Sequence, residues 1–428
     1  MRFAAILSFL LLAGCASTAP PAGERAPFDA ATWSDPAVID PVRSGGEPVL
    51  FTTPTGTLLI AAHPGFTHIK PPPGLEVVQP ANAQSYLYRS DDDGATWSAV
   101  TGPMNAPRNQ APGDSDPDLA ASDDGSLVVM AQLDGIGISS EASSDDGVTW
   151  PGSNALVAKP SDGSVDRPWL AQLGGTFLLL YNGDNAGHWR MLSSTDGVSW
   201  GDHSAPGDGS YPGAMVVDKA RNAVYVGNGD KVWSSTDAGK TFAAAPMPTT
   251  SALTGITAQR PAVDDDGTVY FAWSELHGIS YAYSHDQGAT WQGPVPLVAN
   301  GTHIWPWPVA GQAGRLAVVW LGTQDEAGDD PATYDSEWNV YAAFLDAADT
   351  AAPRMSVAPI PNAIAMHGGI CLDGTICEAE GKDRRLGDFI TASIGRTGDL
   401  HVAYGTTETG HSVSSPAYVR QTGGFRLR

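Results

Sequence analysis

One short turn motif recurs five times: Ser90-Asp91-Asp92-Asp93-Gly94-Ala95-Thr96-Trp97, Ser143-Ser144-Asp145-Asp146-Gly147-Val148-Thr149-Trp150, Ser193-Ser194-Thr195-Asp196-Gly197-Val198-Ser199-Trp200, Ser235-Thr236-Asp237-Ala238-Gly239-Lys240-Thr241-Phe242 and Ser284-His285-Asp286-Gln287-Gly288-Ala289-Thr290-Trp291. The shared form is Ser-x-Asp-x-Gly-x-Thr-aromatic, and only the third copy breaks it, with Thr195 at the Asp position. Recurrence at intervals of about 50 residues means repeated supersecondary units, which settles the class of architecture before any other feature is weighed. Ser and Asp side chains satisfy turn amides locally, Gly supplies positive φ without steric cost, and the aromatic adds buried area between strands. The motif is therefore read as structural. Asp91, Asp93 and Asp146 leave a structural calcium ion open, and no other cofactor or metal is expected.

A second segment precedes each box: a polar or Pro-bearing start, an apolar strand, a turn and another apolar strand. Its copies begin at Glu47-Pro48, Asp116-Pro117, Arg167-Pro168, Pro212-Gly213, Arg260-Pro261, Trp307-Pro308 and Gly387-Asp388. Strands such as Thr268-Val269-Tyr270-Phe271-Ala272-Trp273 are β-branched or aromatic and nearly continuously apolar. Leu345 to Thr350 and Gln421 to Phe425 stand where the sixth and seventh boxes would fall. Seven such units predict an all-β, seven-bladed β-propeller of four-stranded antiparallel blades, with a six-bladed ring as the alternative. A propeller must close its ring or expose a strand edge. The segment Trp33 to Ile39 is expected to supply the fourth strand of blade seven. Long insertions at 64–85 and 324–338, and a loop over 359–385, are expected to border a binding face.

The net charge of −24 disfavours nucleic acid and broad anionic surfaces. Arg2, the apolar run Ala4 to Leu12 and the sequence Leu12-Ala13-Gly14-Cys15 read as a bacterial lipoprotein signal over 1–15, with Cys15 lipidated. Residues 16–32 read as a flexible tether and 33–428 as the propeller. The expectation is an exported monomer, anchored in the bacterial cell envelope by its N-terminal lipid alone. In such an oxidising compartment Cys371 and Cys377 are expected to form a disulfide.

Residues just before each innermost strand converge on one mouth of a propeller's channel. Here they include Glu47, Asp116, Asp166, Arg167, Tyr211, Arg260, Trp305, Trp307, Arg384, Arg385 and Asp388. Carboxyls held together push their pKa values apart, which suits Asp116 and Asp166 to acid/base or nucleophilic roles, with Tyr211 as a partner. Arg167, Arg260 and Arg385 are read as a carboxylate clamp. Glu47, Trp305, Trp307 and Asp388 complete the expected binding residues, the tryptophans offering flat faces to sugar rings. The histidines, including His63, His68 and His303, show no metal-ligand spacing.

The boxes, together with Asp166-Arg167-Pro168-Trp169-Leu170 and Arg385-Leu386-Gly387-Asp388-Phe389, resemble the sialidase-like group of exported Asp-box proteins over nearly all of 33–428. That resemblance implies carbohydrate as the partner and glycoside hydrolysis of an acidic sugar as the activity. A uronic-acid lyase using His63 or His303, and a non-catalytic glycan- or protein-binding propeller, are the alternatives. Sialidases place a first arginine in a Phe/Tyr-Arg-Ile-Pro motif, whereas this chain has Gly46-Glu47-Pro48-Val49 there. The family's catalytic set is therefore not carried over.

Overall fold

The computed structural model describes residues 28–41, 45–64, 85–100, 115–134, 137–150, 155–158, 165–183, 188–207, 212–229, 231–249, 259–325, 328–374, 376–409 and 414–428. They form a seven-bladed β-propeller of antiparallel sheets, six of them built from strands consecutive in the chain and the seventh completed by the N-terminal segment. The innermost strands are Gly45–Thr52, Ser115–Ala121, Asp166–Leu173, Met215–Asp218, Pro261–Val263, Thr302–Ala310 and Thr391–Ile394. The second strand of each sheet is buried almost throughout, as in Val269–Ser274 and Arg315–Thr323, which accounts for their unbroken apolar character.

The ring closes as the sequence predicts. Blade seven takes its outer edge from the N-terminus: Thr32 and Trp33 pair with Gly423 and Gln421, and Ala37 and Val38 pair with Tyr418 and Ala417 of the strand Ser415–Gly423. Phe28 stacks on Phe425 at 4.6 Å, adding apolar contact at the same seam. The disulfide Cys371–Cys377 is formed, next to the short helix Ile376–Glu380. One expectation fails in part. The loop foreseen over 359–385 is strand as far as 368, because the outer strand of blade six, Arg354–Gly368, follows the long strand Ser336–Asp346 to its beginning. The insertion over 64–85 lies almost wholly outside the described residues.

Each box is a self-satisfied turn. The serine hydroxyl donates to the aspartate at 2.8 Å in Ser90–Asp92, 2.7 Å in Ser143–Asp145, and 2.8 Å in both Ser235–Asp237 and Ser284–Asp286. The glycine amide donates to the same serine, and the threonine amide to the same aspartate, as Gly94 and Thr96 do. The third copy departs from the sequence reading. Ser194 donates to Asp196 at 2.9 Å, and Gly197 N donates to Ser194 at 2.8 Å. The box therefore starts at Ser194 and is one residue shorter; its aspartate is present, directly before the glycine. Hydrogen bonds from the amides of Ser199 and Val198 hold the Asp196 carboxyl down at about 2.

The boxes also join neighbouring blades. A Cβ on Gly147 would meet Leu59 of blade one at 3.1 Å, and one on Gly197 would meet Val129 of blade two at 2.2 Å. Gly239 faces Met191 of blade three in the same way, and Gly94 of blade one faces Tyr418 of blade seven. Trp200 Nε1 donates across to Ser140 Oγ at 2.8 Å. Blade six lacks the motif, yet its turn still docks: Tyr281 of blade five donates to the carbonyl of Ala348 at 2.9 Å.

Removing residues 1–41 is expected to expose the edge of Ser415–Gly423. Differential scanning calorimetry of chains starting at residue 28 and at residue 42 tests this, the shorter one melting at least about 5 °C lower and aggregating on heating.

Candidate functional site

Four of the seven entrances share one backbone device. Glu47, Asp116, Arg167 and Trp305 each precede a proline and each has positive φ, at 45°, 49°, 56° and 59°. Each sits at a break in the ladder, between Gly46/Val49, Ser115/Asp118, Asp166/Trp169 and Ile304/Trp307. A non-glycine residue in this region, and before proline, is strained by about 1–3 kcal/mol. Such bulges re-aim side chains.

Three of these re-aimed side chains meet. Arg167 lies 3.6 Å from Glu47 Oε2 and 3.9 Å from Asp116 Oδ2, and its Nη2 donates to Asp388. Arg384 reaches the same aspartate through Nε at 3.0 Å and through Nη2, and stands 4.0 Å from Glu47. Asp116 is hydrogen-bonded to both Asp166 and Glu47. Glu47 and Asp388 are 1% and 0% exposed, whereas Asp116 and Asp166 are half-buried. His63, which is buried, adds its influence on Asp116.

Four carboxyls thus face two guanidinium groups, and full ionisation would leave a buried charge excess. Burial pushes Glu47 up to about 8; Arg167 and Arg384 oppose the rise, and Asp116 adds to it. Burial likewise raises Asp166 well above the ordinary range, reinforced by the Asp116 charge. For Asp116 burial acts upward too, but Arg167, the hydrogen bond from Asp166, His63 and Glu47 together hold it below its usual range. The outcome is an ionised Asp116 accepting from two protonated carboxyls, the arrangement forced whenever like charges crowd. Burial lowers Arg384 to about 10, its anionic neighbours opposing this and Arg167 adding to it.

Beneath this group lie three rings. Trp169, Trp307 and Phe389 are mutually 5.7–6.3 Å apart, and Arg167 lies over Phe389 at 5.9 Å. Below them runs a central channel of about 490 Å³, lined by all seven innermost strands. Asp118 and Arg260 both line it. Asp118 is raised to about 7 by burial, against hydrogen bonds from the amides of Leu170 and Leu119 and the charge of Arg260.

The site therefore gathers Glu47, Asp116, Asp166, Arg167 and Asp388 as expected. The three-arginine clamp does not assemble. Arg260 stacks on Trp307 at 5.3 Å inside the channel, and Arg385 is held by Asp383 at 2.6 Å. Arg384 takes the place assigned to Arg385, because Gly387 donates to the Arg384 carbonyl in a tight turn that folds Asp388 back onto it. Trp305 and Trp307 are buried in the core rather than offered as open faces. His303 is structural: Trp320 Nε1 donates to its Nδ1 at 2.9 Å, and its Nε2 donates to Asn300 O at 2.7 Å. Tyr211, His68 and Cys15 lie outside the described residues. Asp118 escaped the sequence reading; its signal is the second carboxylate two residues after Asp116, within the inner strand itself.

No family model matches the chain, and no curated protein matches it. Among solved structures, a protein of unknown function from Dyadobacter fermentans is similar at 16% identity and TM-score 0.48, over 92% of this chain and 99% of that one. The GH93 alpha-L-arabinofuranosidase of Fusarium graminearum is similar at 14% identity and TM-score 0.43, over 94% and 98%. The NanB sialidase from Streptococcus pneumoniae is similar at 12% identity and TM-score 0.45, over 92% and 70%. Likeness at this level concerns the fold alone.

Glu47 gives the site a pH signature. Its folded value of about 8 lies above its ordinary 4.5, so the folded state binds more protons between them. Stability is full below about 4.5 and falls as pH rises through 8, by up to about 1.4 kcal/mol per pH unit. Urea melts from pH 5 to 8.5 should show this decline, and Glu47→Gln, neutral throughout, should make it shallower, the raised Asp166 and Asp118 supplying the rest.

Proposed function

We propose that this chain is a carbohydrate-engaging propeller that cleaves glycosidic bonds at its central mouth. The observation that carries the reading is the Asp116–Asp166 pair. One carboxyl is held protonated and its neighbour ionised, and both are half-buried beside fully buried, ion-paired groups. In this reading Asp166 gives its proton to the leaving glycosidic oxygen as the C–O bond breaks. Water adds to the anomeric carbon, and its released proton returns to the carboxyl pair. Arg167 and Arg384 are committed to Asp388, and Arg385 to Asp383. An uncharged glycan therefore suits the mouth better than the acidic sugar that the sequence implies.

The direct hydrogen bond between Asp116 and Asp166 favours a second reading. Catalytic carboxyls that flank a scissile bond stand about 5 Å or more apart. A pair this close also fits a mouth that binds sugar without turnover.

Both readings are tested by a panel of neutral and acidic oligosaccharides, scored for binding and for product release. Hydrolysis should fall by at least about 100-fold in Asp166→Asn with binding retained. Binding of neutral glycans with no product from the parent chain would select the second reading, and no binding at all would overturn both.

Export with lipidation of Cys15 belongs to the same proposal, supported by the apolar run before it and by the formed disulfide. Cys15→Ser should move the protein from the membrane fraction to the soluble fraction in a bacterial host.

A further inference from the structure

The seam where the ring closes carries a group of side chains that neither the mouth nor the box geometry uses. Asp93 belongs to the first box of blade one. Asp399 and His401 flank the start of the strand Leu400–Thr406 in blade seven. One ligand atom from each lies within 4.8 Å of the others.

Three features point to a ligand between them. First, His401 Nε2 is wholly buried and makes no hydrogen bond. Asp399 Oδ2 at 2.9 Å and Asp93 Oδ1 at 3.5 Å both lie near it, the nearer one off the line of an N–H bond. Donors bound to a single ion at about 2.1 Å stand about 3.0–3.4 Å apart, and these two separations bracket that range. Second, the other side of the ring is set for metal binding. His401 Nδ1 lies 2.5 Å from the Tyr418 hydroxyl, and that hydroxyl donates to the carbonyl of Asp93 at 3.3 Å. The tyrosine oxygen then accepts Nδ1–H, which leaves Nε2 with its lone pair, as a metal-ligating histidine is held. Third, Gly395 stands beside Nε2 without a positive φ to require glycine. A Cβ there would come within 2.3 Å of Nε2 and 2.8 Å of Asp399 Oδ1. Glycine keeps the space in front of the imidazole open.

The carboxylates are oriented from behind. Arg420 Nη1 donates to Asp93 Oδ2 and to the Asp93 carbonyl, and Thr397 Oγ1 donates to Asp399 Oδ1. Each aspartate is left with one oxygen facing His401.

We propose that Asp93, Asp399 and His401 form a divalent-metal site, of a donor set suited to zinc, that ties blade one to blade seven. One nitrogen and two carboxylate oxygens fit zinc better than calcium, which prefers an all-oxygen shell of higher coordination number. The side chain of Asp93 is 52% exposed, which gives the ion a path from solvent. Bound there, the ion stabilises the folded ring by mass action, because its ligands come together only when the two blades meet.

The test uses the full chain freed of metal with a chelator. Titration with zinc in a calorimeter should show one ion per chain, and the melting temperature should rise by several degrees at saturation. Calcium and magnesium at the same concentration should leave it unchanged. The buried His401→Gln variant risks misfolding, so the main variant is Asp93→Asn. Asn tolerates the positive φ of 61° found at this position. Asp93→Asn, checked for native circular dichroism, should bind zinc at least tenfold more weakly and lose the thermal shift. Absence of saturable binding at one equivalent, or equal affinity in Asp93→Asn, would overturn the site.

Discussion

The contact on which the molecule depends is the docking of each blade's outer turn onto the blade before it. A single four-stranded sheet cannot bury both of its faces, and only neighbours stacked around an axis can do so. The box supplies a turn whose polar groups are satisfied internally, so that its glycine can lie against an apolar side chain of the preceding sheet. Gly197 on Val129 and Gly147 on Leu59 are two instances of this. Where the box has decayed, in blade six, a tyrosine hydroxyl and a backbone carbonyl still make the join.

That rigidity is what allows strain at the mouth. Positive φ at Glu47, Asp116 and Arg167 costs free energy at each residue, and a looser scaffold would relax it. Here the inner strands are pinned on both sides, and the bulges hold three side chains in one place. The polar group so formed is internally balanced. Two guanidinium groups share Asp388, and proton uptake by Glu47 and Asp166 removes the remaining charge excess. Removing a charged member, Asp388 or either arginine, would leave a buried charge without compensation, which costs about 3–5 kcal/mol.

Much of this was legible in the chain. The seven copies of the inner-strand segment gave the blade count, and the segment Trp33 to Ile39 marked the ring-closing strand, because a propeller has a fixed need for it. Convergence of Glu47, Asp116, Asp166, Arg167 and Asp388 followed from their shared place before inner strands. What escaped was register. In the third box a one-residue deletion moved the aspartate next to glycine, so that a fixed template landed on Thr195. Arg384 and Arg385 differ by one position, and only the turn geometry decides which of them faces inward. Arg260 has the same sequence context as Arg167 but lacks the positive φ, so its side chain runs down the channel instead.

Blade seven has a consequence for how the polypeptide reaches its final form. The strand Ser415–Gly423 finds its edge partners among residues 32–38, so the earliest and latest segments of the ring to be synthesised must meet in one sheet. Until they do, the nascent ring is an open arc with a bare edge at one end. Commitment to the finished ring is therefore postponed until its last strand has been made, which leaves chaperones a substrate that has not yet locked.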